Sequence, residues 1–119
     1  ITEFKEAGIR TSIFVDPKIE MIEGAKLCGT DRIELYTEEY ATQYIIDKKK
    51  AIAPYILAAN KASELCLEIN AGHDLSLENL EFFAKEIPDL AEVSIGHALI
   101  SDALYLGLEN SIQMYKRLL

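Results

Sequence analysis

Four short strand-like runs, Ile9–Val15, Arg32–Tyr36, Cys66–Asn70 and Glu92–Ile95, alternate with helical patterns, and this alternation leaves few folds open to the chain. Asp16-Pro17 reads as an N-cap followed by proline at the first helical position, and Ile19, Ile22 and Ala25 then recur at helical spacing until Gly29. Ala51–Leu65 predicts a second helix with Ile52, Tyr55, Ile56 and Ala59 on one face and Pro54 near its start. A third begins at Ser76, buries Leu77, Leu80, Ala84 and Ile87, and stops before Pro88. The last runs from about Ala98 to Leu119, with Gly107 placed to split it into a short helix and a longer one. Thr37–Lys50 reads as a long loop after the second strand, either a lid or a solvated connection. Ile1–Ala7 reads as the last turns of a helix closed by Gly8, so preceding sequence is expected.

Strict β–α alternation with short links implies parallel strands joined by right-handed crossovers. An open doubly wound sheet and part of a (β/α)8 barrel both satisfy that rule. Side chains alternate across a strand, so the two faces can be compared. One carries Ser12 and Phe14, Glu34 and Tyr36, Glu68 and Asn70, and Ser94; the other carries Ile13 and Val15, Ile33 and Leu35, Leu67 and Ile69, and Val93 and Ile95. An open sheet covered by helices on both faces should be apolar on both, whereas a barrel has helices only outside. The expected fold is therefore α/β, the C-terminal half of a TIM (β/α)8 barrel, with residues 1–119 forming a single partial domain whose other half lies upstream.

Composition narrows the partners. A net charge of −8 argues against nucleic acid, which requires clustered Lys and Arg. The one basic run, Lys48–Lys50, suits the solvated start of a helix. A small phosphorylated ligand remains compatible, because its site is built from local backbone N–H groups. No apolar stretch approaches the roughly 20 residues that span a bilayer, and neither a secretory leader nor membrane contact is expected, so a cytoplasmic location is the expectation. Cys28 and Cys66 stand outside any CxxC or metal-ligand spacing and are expected to be buried, reduced thiols.

The chemistry concentrates in two Gly-His steps at the ends of the last two strands, Asn70-Ala71-Gly72-His73 and Ser94-Ile95-Gly96-His97. In a (β/α) barrel the C-terminal strand ends build the active site, and phosphate sits at the loops after the last two strands. Glycine lets main chain approach an anion closely, and a helix opening at Ala98 would aim free N–H groups at it. The two histidines are the only ones in the chain and add titratable rings at the same rim. Either ring alone is more simply a helix cap. Glu34 lies inside an apolar strand on the polar face, where burial is expected to raise its pKa, the profile of an acid/base or of a group stabilising positive charge. Its alternative role is as a structural partner of Arg32 or of a residue in the half upstream. Glu68 and Asn70 share that face, Glu68 as a candidate ion-pair member.

These segments, together with Gly8-Ile9-Arg10-Thr11-Ser12-Ile13-Phe14-Val15-Asp16-Pro17, Arg32-Ile33-Glu34-Leu35-Tyr36-Thr37 and the extension Ala98-Leu99-Ile100, resemble the second half of the pyridoxine 5'-phosphate synthase family in order and interval. The resemblance implies a transferase-type, ring-closing enzyme that assembles as a homo-octamer and uses no metal or organic cofactor. It condenses 1-deoxy-D-xylulose 5-phosphate with 3-amino-2-oxopropyl phosphate, with loss of phosphate and water. It makes His73 a proton donor and Glu34 the stabiliser of a transition state or intermediate. Asp74, Gly96 and His97 become substrate contacts, Asp74 standing where the family commonly has glycine. The family's remaining catalytic residues lie upstream of Ile1, so the 119-residue chain alone is expected to be inactive. Two other readings stay open: another phosphosugar-binding (β/α) barrel enzyme, and a non-catalytic, flavodoxin-like binding domain with an open sheet.

Overall fold

In the computed structural model, which describes residues 1–119, four parallel strands lie side by side in chain order. The elements are α1 (Thr2–Glu6), β1 (Ser12–Val15), α2 (Ile19–Cys28), β2 (Arg32–Leu35), α3 (Glu38–Glu64), β3 (Glu68–Gly72), α4 (Leu80–Glu86), β4 (Leu90–Ser94), α5 (His97–Leu106) and α6 (Leu108–Lys116). Right-handed crossovers between strands laid down in one direction put the three connecting helices, α2, α3 and α4, on the same face. Burial follows that geometry. Val15, Ile33, Leu35, Leu67, Ile69 and Ala71 join one core with Ile22, Ala25, Tyr40, Ile52, Tyr55, Ala59, Leu80 and Phe83 from the helices. Phe14 on the opposite face is 52% exposed. One helix-covered face and one open polar face is the arrangement of half a TIM barrel, not of a doubly wound sheet.

The register aligns the polar residues in rows. Phe14 pairs with Glu34, Glu34 with Asn70 and Asn70 with Glu92; one layer further along, Gly72 pairs with Ser94. Between β3 and β4 the register slips, leaving Ala91 as an extra residue while Leu90 pairs with Ile69. That bulge lets Leu90 turn toward the core and Glu92 toward the open face.

Several expected boundaries move. Thr37–Lys50 is not a loop: α3 starts at Glu38, and its helical geometry breaks only at Asp47 (φ −155°, ψ 96°). The Asp47 carboxylate accepts the N–H groups of Lys49 and Lys50 at 3.1 Å each, so it caps a second helical half that the three lysines open. The first half is held by fully buried Tyr40, whose ring meets Phe83 edge-on at 4.9 Å. Asp16 does not cap α2, which begins three residues later at Ile19 after Lys18; its carboxylate instead meets the Lys18 ammonium at 3.1 Å. Helix α4 begins at Leu80, with Asn79 at its N-cap, and buries Phe83 where Ala84 was expected. Gly107, at φ +80°, separates two helices of similar length, α5 and α6. Cys28 and Cys66 are both exposed, because Cys28 faces out from the last turn of α2 and Cys66 occupies a left-handed turn (φ +53°) before β3.

At the end of the sheet opposite the strand C-termini, Asp31 ties β1 to β2. Its carboxylate accepts the Thr11 N–H at 2.8 Å and the Thr11 hydroxyl at 3.1 Å, and it pairs with the Lys5 ammonium at 3.0 Å. The Thr11 amide first, and then Lys5, hold this carboxyl down at about 2. A depressed carboxylate stabilises the fold above its unfolded pKa of about 3.9, and that contribution is lost as pH falls through the folded value. Asp31→Asn is therefore expected to lower the urea midpoint at pH 7. The gap from wild type should close as the titration is repeated toward pH 2, and a gap independent of pH would remove Asp31 from the acid response.

Candidate functional site

At the C-terminal ends of the strands lies a cavity of about 660 Å³, within the range of small-molecule sites. It is lined by Phe14, Glu34, His73, Ser94, Gly96, His97, Ile100 and Ser101. Four of the five residues singled out from sequence, Glu34, His73, Gly96 and His97, thus share one cavity. Asp74 is not among its lining residues.

Each arrives by a local cause. Glu34 is the third residue of β2 and projects from the open face, half-exposed rather than buried. It is not the partner of Arg32, whose guanidinium meets Glu92 at 2.9 Å and Glu68 at 3.5 Å. Glu68 also takes Arg10 at 3.0 Å, which accounts for it as an ion-pair member. The neighbouring cations are thus engaged elsewhere, and the Glu34 carboxylate stands free beside the cavity. One strand over, Asn70 is 3% exposed and its Oδ1 has no hydrogen-bond partner within the chain.

His73 follows β3 in a tight turn. Its φ is +58°, and the N–H of Asp74 closes back on the carbonyl of Gly72 at 2.8 Å. Such three-residue turns are rare and strained, at a cost of about 1–3 kcal/mol, and are kept where a side chain must be aimed. The ring is largely exposed to the cavity, and its Nδ1 lies 3.1 Å from Asp74 Oδ2, near enough for attraction to a protonated ring, although that buried oxygen accepts no hydrogen bond within the chain. Asp74 therefore stands behind the histidine. Its amide also reaches the Thr37 hydroxyl oxygen at 3.3 Å, so neither its N–H nor its carboxylate is directed at the cavity.

Gly72 is required by the approach of β3 to β4: a Cβ there would lie 2.2 Å from the carbonyl oxygen of Ser94. Gly96 differs, since a Cβ on it meets nothing within 4 Å and would project into open space. It is the N-cap of α5. The first intrahelical bond there runs from Ile100 N–H to Gly96 C=O at 2.9 Å, so the N–H groups of His97, Ala98 and Leu99 find no acceptor in the chain. With Gly96 bare and the positive end of the helix facing outward, this is a cradle suited to an anion.

Sequence reasoning passed over two buried residues behind this cavity. Thr37 is fully buried and donates its hydroxyl hydrogen to the carbonyl of Gly72; Asn79, 5% exposed, donates its amide to the carbonyl of Asp74 at 3.2 Å. Only a short polar residue at a strand end, and an Asn three residues after Ser76, hinted at them.

Matched against known proteins, residues 1–119 fit the family model of the pyridoxal phosphate biosynthesis protein PdxJ. The chain is 67% identical over 115 residues to a pyridoxine 5'-phosphate synthase of Flavobacterium johnsoniae, covering 97% of this chain and 48% of the relative. It is 62% identical over 119 residues to one of Bacteroides fragilis, covering 100% and 50%, and 62% over 117 residues to one of Cytophaga hutchinsonii, covering 98% and 49%. The chain spans about half the length of the curated relatives it matches. No helix is long and apolar enough to cross a membrane.

Proposed function

We propose, since the chain belongs to the pyridoxal phosphate biosynthesis protein PdxJ family, that it carries the phosphate-binding and proton-donating part of a pyridoxine 5'-phosphate synthase. The reaction is the ring closure of 1-deoxy-D-xylulose 5-phosphate with 3-amino-2-oxopropyl phosphate, releasing phosphate and water. The observation that carries this reading is the meeting of Glu34, His73, Gly96 and His97 in one cavity beside an uncapped helix start. The phosphate of the amino ketone sits at Gly96 and the α5 N-terminus, where N–H groups replace its water shell. His97, at the same rim, adds its ring to that contact. His73 delivers a proton to a departing oxygen, and the Asp74 carboxylate, 3.1 Å from Nδ1, favours the protonated ring by its charge. Asp74 thus serves the substrate through His73. Glu34, free of cationic partners, faces positive charge that develops as nitrogen condenses with a carbonyl.

By the same reading the complete protein is a cytoplasmic homo-octamer that takes small phosphorylated substrates without a metal or organic cofactor, and the 119-residue chain alone does not turn over. The test is product analysis: full-length protein given both substrates should form pyridoxine 5'-phosphate, and a folded preparation yielding another product, or none, would overturn the assignment. Gly96→Ala should raise KM for the amino-ketone phosphate roughly 10- to 100-fold, the worth of one hydrogen bond to a charged group, with thermal unfolding unchanged. An unaltered KM would move the phosphate away from α5.

A further inference from the structure

The turn that carries His73 is held from beneath by polar groups that the roles above leave unused. Thr37 Oγ1 donates to Gly72 C=O and accepts the N–H of Asp74 at 3.3 Å, so a single hydroxyl grips the peptide groups on both sides of the histidine. Asn79 takes the next group, its Nδ2 donating to Asp74 C=O at 3.2 Å while its Oδ1 accepts the N–H of Ser76 at 2.9 Å. Tyr40, fully buried, donates its hydroxyl to Asn79 C=O at 2.7 Å and so fixes Asn79 in turn. The N–H of His73 itself goes to Ser94 C=O at 3.0 Å.

We infer that Thr37, seconded by Asn79, is a positioning residue: it holds residues 72–74 in the left-handed turn that aims the His73 ring into the cavity. A histidine at φ +58° relaxes to negative φ unless its neighbours are over-determined, and Thr37 supplies two of the bonds that do so. The inference rests on His73 being the proton donor. It goes beyond that reading because Thr37 touches neither the cavity nor the histidine ring.

Thr37→Val in the full-length protein keeps the volume and removes both bonds. It is expected to lower kcat roughly 100-fold, as for a reacting group displaced by about 1 Å, while KM for either substrate changes less than about threefold. Thr37→Ser, which restores the hydroxyl, should recover most of the turnover. Wild-type kcat in Thr37→Val overturns the inference, as does a loss that Thr37→Ser fails to rescue. If Thr37→Val does not fold, Thr37→Ala carries the test: it too removes both bonds, and wild-type kcat per folded molecule there overturns the inference equally. His73→Asn in the same assay separates the two ideas. Normal turnover of that variant defeats the proton-donor reading itself, whereas an inactive His73→Asn beside a fully active Thr37→Val defeats only the role of Thr37.

Discussion

Replacing His73 with asparagine in the full-length protein is expected to reduce kcat by about 10²- to 10⁴-fold, the usual contribution of one positioned general acid, and to leave the unfolding midpoint nearly unchanged. Asparagine is the informative replacement because it tolerates the left-handed backbone at φ +58°, where alanine would add its own strain. It is polar and close to imidazole in reach, but it has no proton that titrates near neutral pH. The histidine side chain is 65% exposed, so its removal deletes little packing. Steady-state kinetics with both substrates, run beside thermal melts, check the two halves of this expectation. Turnover close to wild type would take His73 out of the proton transfer, and a large fall in the midpoint would assign it a structural duty instead.

The parts of this molecule legible in its sequence are those governed by short periods. The two-residue alternation in Arg32–Tyr36 and Leu67–Asn70 separates a face of Ile33, Leu35, Leu67 and Ile69 from one of Glu34, Tyr36, Glu68 and Asn70, and the structure buries all of the first set but, of the second, only Asn70. The same alternation, carried to the strand ends, placed Glu34, His73, Gly96 and His97 close enough to share a cavity. What escaped depends on tertiary partners. The first half of α3 looked like a loop because Ile45 and Ile46, 82% and 77% exposed, blur its apolar stripe, and because the cap at Asp47 lies inside a run of charges. The cysteines, read as small hydrophobes, sit outside because each falls at the end of an element and not in its buried stripe. Asp74 is a substrate contact only by the family resemblance, and no local pattern shows that its amide is shared by Gly72 and Thr37. No local pattern announces that a threonine at position 37 will grip a turn 35 residues further along the chain.

Gly72→Ala should be the most destabilising of these substitutions and should also depress turnover in the molecules that still fold. The added Cβ would stand 2.2 Å from the carbonyl oxygen of Ser94 and 3.0 Å from its carbonyl carbon, and both are backbone atoms that cannot swing aside. Strand β3 must then part from β4 just where Gly72 pairs with Ser94. Forcing extra volume into packed structure costs about 1–3 kcal/mol and more where main chain must move, and the expected loss lies at the upper end of that range. Parting the strands also stretches the His73 N–H bond to Ser94, worth about 1 kcal/mol and one of the bonds that hold the ring in place. Urea unfolding at matched protein concentration reads the first effect, and kcat per folded molecule reads the second. The contrast with Gly96→Ala is the sharpest feature of the prediction. The same methyl group placed at either of two neighbouring strand-end glycines should cost stability and kcat at Gly72, but only KM at Gly96, because one glycine makes room for a neighbouring strand and the other for a ligand. A Gly72→Ala protein with a wild-type urea midpoint would mean that β3 and β4 do not approach as closely as this geometry requires.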